Sequence, residues 1–144
     1  MPIDRINWLA VIVGGVLYFA WGWLWYGVLF GQKWLAAIGP MAANLNPKDP
    51  IPYIVSFVMA MLLSFGVAVA LSHDDNRTAK HGIEFGVFFG LLFFATTTLT
   101  ATLYEGHPIS LWLINAGYLV IGLVILGALH GAWKKAPMAA TAAV

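Results

Sequence analysis

The sequence predicts an all-α fold, an integral membrane four-helix bundle with both termini in the cytoplasm, and three observations lead there. Of 144 residues, 61% are apolar and only 9% are charged, seven Lys/Arg and six Asp/Glu. Those charges leave four stretches of at least 20 residues free of Asp, Glu, Lys and Arg. The cations also fall mainly on one side of the four stretches. A soluble domain averages roughly 25% charged residues and needs polar groups to cover its surface. The mean hydropathy of +0.84 agrees. This composition excludes an ordinary soluble enzyme, a disordered chain and a nucleic-acid binder. The solvent for most of the chain is lipid.

The first span is expected over about 6–30. Arg5 precedes an apolar run too long for a signal-peptide core of roughly 7–15 residues, so it reads as an uncleaved span. Residues 31–50 follow as a loop broken at Gly39-Pro40, Asn46-Pro47 and Asp49-Pro50. Within it, Trp34, Leu35 and Ile38 share one face of a short interfacial helix. Asp49 is the expected N-cap of the second span, about 51–72, with Pro50 at its first position. The polar segment 73–82 leads to the third span, about 85–104. The short turn Glu105-Gly106-His107-Pro108 makes the third and fourth spans an antiparallel hairpin, the fourth covering about 109–133. Residues 134–144 are expected to be a flexible tail, and the whole chain a single transmembrane domain. Trp8 and Trp25, about 26 Å apart on a helix, and Trp112 and Trp133, about 32 Å apart, match interfacial belts.

Four spans put both termini and the 73–82 loop on one side. That side holds Arg5, Arg77, Lys80, Lys134 and Lys135, against Lys33 and Lys48 on the other. The positive-inside rule makes the richer side cytoplasmic. No cluster of 4–8 Lys/Arg adjoins a single span, so specific anionic-lipid binding has little support in the sequence.

Small residues mark helix packing, because lipid gives helices no hydrophobic reason to associate. Gly82, Gly86 and Gly90 recur at every fourth position, as do Gly127 and Gly131, and Gly27 and Gly31. They suit packing within one bundle or an interface between copies. Thr96, Thr97, Thr98, Thr100 and Thr102 in the third span either line a polar path or bond back to their own backbone. No Asp, Glu, Lys or Arg lies well inside a span, which argues against an ion-coupled carrier. Asn115, with Tyr118 one turn later, is the strongly polar side chain within the fourth span.

Zero cysteines exclude disulfides and thiolate sites. His73 and His81 share a loop with Asp74 and Asp75, but Arg77 and Lys80 oppose a cation there and no metal is assigned. His130 reads as a hydrogen-bonded packing residue. Ser56, Ser64 and Ser110 stand isolated, with no Ser–His–acid set at one depth. No catalytic, cofactor-binding or metal residue is assigned, and no enzyme is expected.

Specific strings add a resemblance. Ile6-Asn7-Trp8-Leu9-Ala10-Val11, the run Leu24-Trp25-Tyr26-Gly27-Val28-Leu29-Phe30-Gly31-Gln32-Lys33-Trp34, Leu103-Tyr104-Glu105-Gly106-His107-Pro108, and Leu113-Ile114-Asn115-Ala116-Gly117-Tyr118 with Gly127 resemble the DUF1761 family. The resemblance spans nearly the whole chain. It implies a four-span protein of a bacterial inner membrane, and it carries no reaction or cofactor with it. With the topology above, Trp25, Tyr26, Trp34, Glu105, Asn115 and Tyr118 would gather near the outer face, as a ligand patch or as packing. The expected partners are the lipid bilayer and either a second copy or a larger membrane complex. The expected role is a non-enzymatic packing or accessory subunit. A transporter or channel-like oligomer with a polar path near the Thr-rich span and Asn115 is the alternative.

Overall fold

The computed structural model describes residues 3–135. Most of the tail expected at 134–144 lies outside the described residues. Five helices carry the architecture: α1 Trp8–Leu29, α2 Gly31–Ile38, α3 Ile51–Leu71, α4 Ala79–Tyr104 and α5 Ile109–Ala132. All but α2 are long and apolar enough to cross a membrane.

Local chemistry sets their ends. Asn7 accepts from the Ala10 amide at 3.2 Å and starts α1. Asp49 Oδ1 accepts from the Ile51 amide at 3.0 Å, so α3 begins one residue after the Pro50 start expected from sequence. Thr78 accepts from the His81 amide at 3.3 Å and starts α4 at Ala79, six residues ahead of the expected Phe85. Absence of charge marks the lipid-embedded part of a helix, whereas the cap marks its start. Gly106 closes α4 in the left-handed region at φ 72°. There the His107 amide reaches Thr102 O at 3.0 Å and the Gly106 amide reaches Leu103 O at 3.2 Å, a paired C-terminal stop. Pro108 then turns the chain into α5.

Helices α1, α3 and α5 form the core around Tyr18, Ala60, Val67, Leu71, Leu123 and Leu126. Helix α4 lies along α5 through glycine. A Cβ on Gly82 would overlap the Gly127 carbonyl oxygen, and one on Gly127 would overlap that of Gly82. At Gly86 it would sit 2.6 Å from Leu123 O, and at Gly90 3.0 Å from Val120 Cα. A Cβ on Gly131 would meet the Thr78 carbonyl. The five glycines thus line a backbone-to-backbone seam inside one chain.

The N-terminal turn, the 72–78 loop and the end of α5 meet at one end of the bundle. Arg5 pairs with Asp75 at 3.0 Å, Lys134 donates to Asp75 O at 2.9 Å, and Lys135 donates to Asp4 O at 2.6 Å. Helix α2 and the 105–108 turn occupy the other end.

Candidate functional site

Two polar nodes join the helices, one toward each end. The node toward the α2 end depends on a π-helical turn, Leu24–Leu29, in which the Phe30 amide bonds to Trp25 O at 2.8 Å. Trp21 and Trp25, one helical turn apart, face α5, and the extra residue in the π-helical turn brings the next residue, Tyr26, to the same side. Trp21 Nε1 donates to Tyr118 O at 3.2 Å, and Trp25 Nε1 donates to Ile114 O at 3.0 Å. The two indoles, four residues apart on α1, thus meet two carbonyls four residues apart on α5. Glycine makes room for the rings, since a Cβ on Gly117 would approach the Trp25 ring to 3.0 Å and one on Gly122 would overlap the Tyr18 ring.

Tyr26 completes the node by donating to Asn115 Oδ1 at 2.8 Å. Its ring lies 5.5 Å from Trp34 on α2 and 5.1 Å from Tyr118. Five of the six residues expected to gather therefore do: Trp25, Tyr26, Trp34, Asn115 and Tyr118. Glu105 pairs instead with His107 at 3.6 Å in the α4–α5 turn. The patch thus has the amide but not the acid in its hydrogen-bond network. Trp25 is buried between helices rather than standing in a lipid-facing belt, and Trp112 turns inward to donate to Ala95 O at 2.9 Å. Ala95 closes a second π-helical turn, Gly90–Ala95.

The node toward the end that carries the termini was not legible as a cluster. Ser64 on α3, which looked isolated, is fully buried and donates to Val11 O on α1 at 2.9 Å. His130 Nε2 on α5 lies 3.0 Å from the same hydroxyl. A hydroxyl has one proton. With that proton on Val11 O, the second bond is satisfied by His130 Nε2–H donating to Ser64 Oγ. That polarity is the reverse of a nucleophile and its base, in which the imidazole must accept the hydroxyl proton. The node ties three helices together. Gly14 leaves the space for it, because a Cβ there would overlap Ser64 Oγ and come 3.2 Å from His130 Nε2. Beneath it, the buried Arg77 donates from Nε to His130 O at 3.2 Å and from a terminal nitrogen to Asp74 O at 3.2 Å. A guanidinium on the last turn of α5 satisfies an end carbonyl and complements the negative end of the helix dipole.

Side-chain direction explains why span-depth counting misses this pair. Helical side chains lean toward the helix N-terminus, so His130 reaches up into the bundle from the last turn of α5. The 72–78 loop folds under that turn through Arg77, whose Nε donates to His130 O.

The five threonines of α4 turn back on their own helix: Thr96 to Leu92 O at 2.6 Å, Thr97 to Phe93 O at 2.5 Å, Thr98 to Phe94 O at 2.6 Å, Thr100 to Thr96 O at 3.2 Å and Thr102 to Thr98 O at 2.7 Å. In the polar loop, His73 Nδ1 lies 3.1 Å from Val69 O and His81 Nδ1 lies 3.6 Å from Asp74.

The family described as "Protein of unknown function (DUF1761)" matches residues 9–131, from the second residue of α1 to the penultimate residue of α5. The chain belongs to the DUF1761 family. No curated protein and no solved structure matches it. In this DUF1761 chain both polar nodes, the π-helical turn and the glycine seam fall within the matched span, as does α2 with Trp34.

Proposed function

We propose that this protein is a non-enzymatic multi-pass protein of a bacterial inner membrane that acts by packing against other helices, first of all a second copy of itself. One observation carries the reading. Every residue of α3 from Ile51 to Met59 is exposed, whereas Ala60 near its middle and Ser64, Val67, Ala68 and Leu71 beyond are buried. The first half of α3 thus leaves Tyr53, Val55 and Val58 uncovered, while Phe57 packs edge-on against Phe19 of α1 at 5.5 Å between ring centroids. Helices associate in lipid through van der Waals packing of such surfaces. The glycine seam, the other surface suited to association, is already closed within the chain.

Transport along the threonine face is the weaker reading, because all five hydroxyls are committed to backbone carbonyls and Asn115 Oδ1 to Tyr26. The positive-inside rule supports cytoplasmic termini for the end that carries Arg5, Arg77, Lys80, Lys134 and Lys135.

The chain has no cysteine, so single-cysteine variants report without background. Oxidation in native membranes should give disulfide-linked dimers with Val55→Cys or Val58→Cys, and none with Leu113→Cys on α5. Monomers at both α3 positions, together with a monomer in native mass spectrometry from mild detergent, would remove self-association. Reporter fusions in the 73–82 loop should lie inside. An outside signal would reverse the topology.

A further inference from the structure

No single span of this chain carries a cluster of cations, but the fold builds one from three segments. Arg5 comes from the turn before α1, Arg77 from the 72–78 loop, and Lys134 and Lys135 from the residues just after α5. The buried Arg77 sets the frame, since its bonds to His130 O and Asp74 O fix the loop beneath α5 and place Asp75 beside Arg5 and Lys134. Those two cations converge on Asp75, Arg5 on its carboxylate and Lys134 on its backbone carbonyl. Asn7, the cap of α1, reaches the Lys134 carbonyl at 3.5 Å, and Lys135 donates to the carbonyl of Asp4. The N-terminal turn and the end of α5 are therefore held together, with the two lysines on either side of the seam.

The cluster keeps donors and charge in reserve. Both lysine ammoniums rest on neutral carbonyls, and neither pairs with a carboxylate among the described residues. Both bonds from Arg5 leave Nη1, so its Nε and Nη2 have no acceptor among the described residues. Arg5, Arg77, Lys134 and Lys135 stand against Asp4, Asp74 and Asp75, which leaves one positive charge in excess. Lys80 and Glu84 nearby pair with each other. From this placement we infer that the cluster binds one anionic phospholipid whose phosphate diester carries no cation of its own, the phosphatidylglycerol type. The single phosphate supplies the missing negative charge. Its oxygens accept from Arg5 Nη2 and Lys134 Nζ, in charge-assisted bonds that a guanidinium and an ammonium both form well. Depth agrees, because the lysines lie two and three residues beyond Ala132, the last residue of α5. Trp8 and Trp133, both exposed at this end, mark the headgroup level. A zwitterionic headgroup brings its own cation, which the excess charge repels. The uncovered stretch of α3 lies toward the opposite end, so the inference stands or falls apart from self-association.

The test is native mass spectrometry of the full chain, delipidated and offered equal amounts of phosphatidylglycerol and phosphatidylcholine with matched chains. Phosphatidylglycerol should be retained about fivefold over phosphatidylcholine, the effect of about one cation at a membrane surface. Ammonium acetate at about 1 M, where the screening length falls to about 3 Å, should remove most of that preference. Lys134→Gln combined with Lys135→Gln should bring the two lipids level, whereas the same pair changed to Arg should keep the preference. Lys48→Gln, at the other end of the bundle, should leave it unchanged. Free glycerol phosphate should not displace the lipid, since it lacks the acyl chains that hold the headgroup at this depth. Equal retention of the two lipids by the unsubstituted chain would overturn the assignment. So would a preference that survives the double Gln change, or one that Lys48→Gln lowers as much, for net charge and not the cluster would then be at work. Displacement by glycerol phosphate would overturn it too, by showing a site for soluble phosphate.

Discussion

Adding one methyl group at Gly82 should separate two helices, whereas the same addition at Gly66 should be tolerated. A Cβ at Gly82 would fall on the Gly127 carbonyl oxygen, with Ala128 N only 3.2 Å away. These atoms are backbone, so no rotamer change relieves the overlap. Helices α4 and α5 would have to move apart, loosening the neighbouring approaches at Gly86 and Gly131 as well. Overpacking a close-packed contact costs about 1–3 kcal/mol even where side chains can yield. Gly66 on α3 has nothing within 4 Å of its Cβ direction. There alanine removes the conformational penalty of helical glycine, about 0.5–1 kcal/mol. Gly82 is helical too and gains the same amount, so the two variants should differ by the overpacking cost, about 1–3 kcal/mol, which at the lower bound is roughly fivefold in the folded-to-unfolded ratio. The assay is an SDS titration of the micellar protein followed by circular dichroism. The cost should also be graded along the seam, with Gly90→Ala milder than Gly82→Ala because its nearest obstacle is 3.0 Å away. If Gly82→Ala resists SDS as well as Gly66→Ala, the backbone seam is not where α4 and α5 are held.

The remaining predictions use the same titration. Ser64→Ala and His130→Ala should show a coupling of about 0.6–1.7 kcal/mol in a double-mutant cycle, the range for hydrogen bonds between membrane helices. Additive effects would mean that the 3.0 Å contact is not a bond that stabilises the fold. Asn115→Leu should release the Tyr26 hydroxyl and cost about 0.6–2 kcal/mol. Tyr26→Phe should then add almost nothing in that background, and a full second loss would break the pairing argument. Thr97→Val keeps the β-branched shape and removes a hydroxyl bonded to its own helix, so stability should change by less than about 0.6 kcal/mol. A larger loss would show the hydroxyl working between helices.

Much of the fold was legible because lipid imposes few and strict rules. Thirteen charges confined to loops, ends and turns locate four spans, and the order of those spans puts Arg5, Asp75 and Lys134 at one end, where they pair. The every-fourth spacing of Gly82, Gly86 and Gly90 marks a face, and the structure sets that face on α5. Periodicity could not say whether the facing helix belonged to the same chain. The cluster toward the α2 end was visible because Trp25, Tyr26 and Asn115 lie near the same end of their spans. The π-helical turn that aims them was not, since an extra residue in a helical turn leaves no mark in an apolar run.

Polar groups that satisfy one another across helices carry no local signal either. Ser64 is one serine in an apolar helix and His130 one histidine beside glycines, and only the α1–α3–α5 packing makes them partners. Their bond polarity matters for function as much as their distance. In lipid, a hydroxyl or imidazole without a partner is costly, so each polar group inside the bundle is first a device for holding helices. It becomes a candidate for chemistry only when a lone pair or proton is left over in the right sense. At Ser64 the proton goes to Val11 O, at Thr96 to Leu92 O and at Tyr26 to Asn115 Oδ1. At these three positions the proton is committed within the chain, and the surface proposed for association is the exposed stretch of α3 with Tyr53, Val55 and Val58.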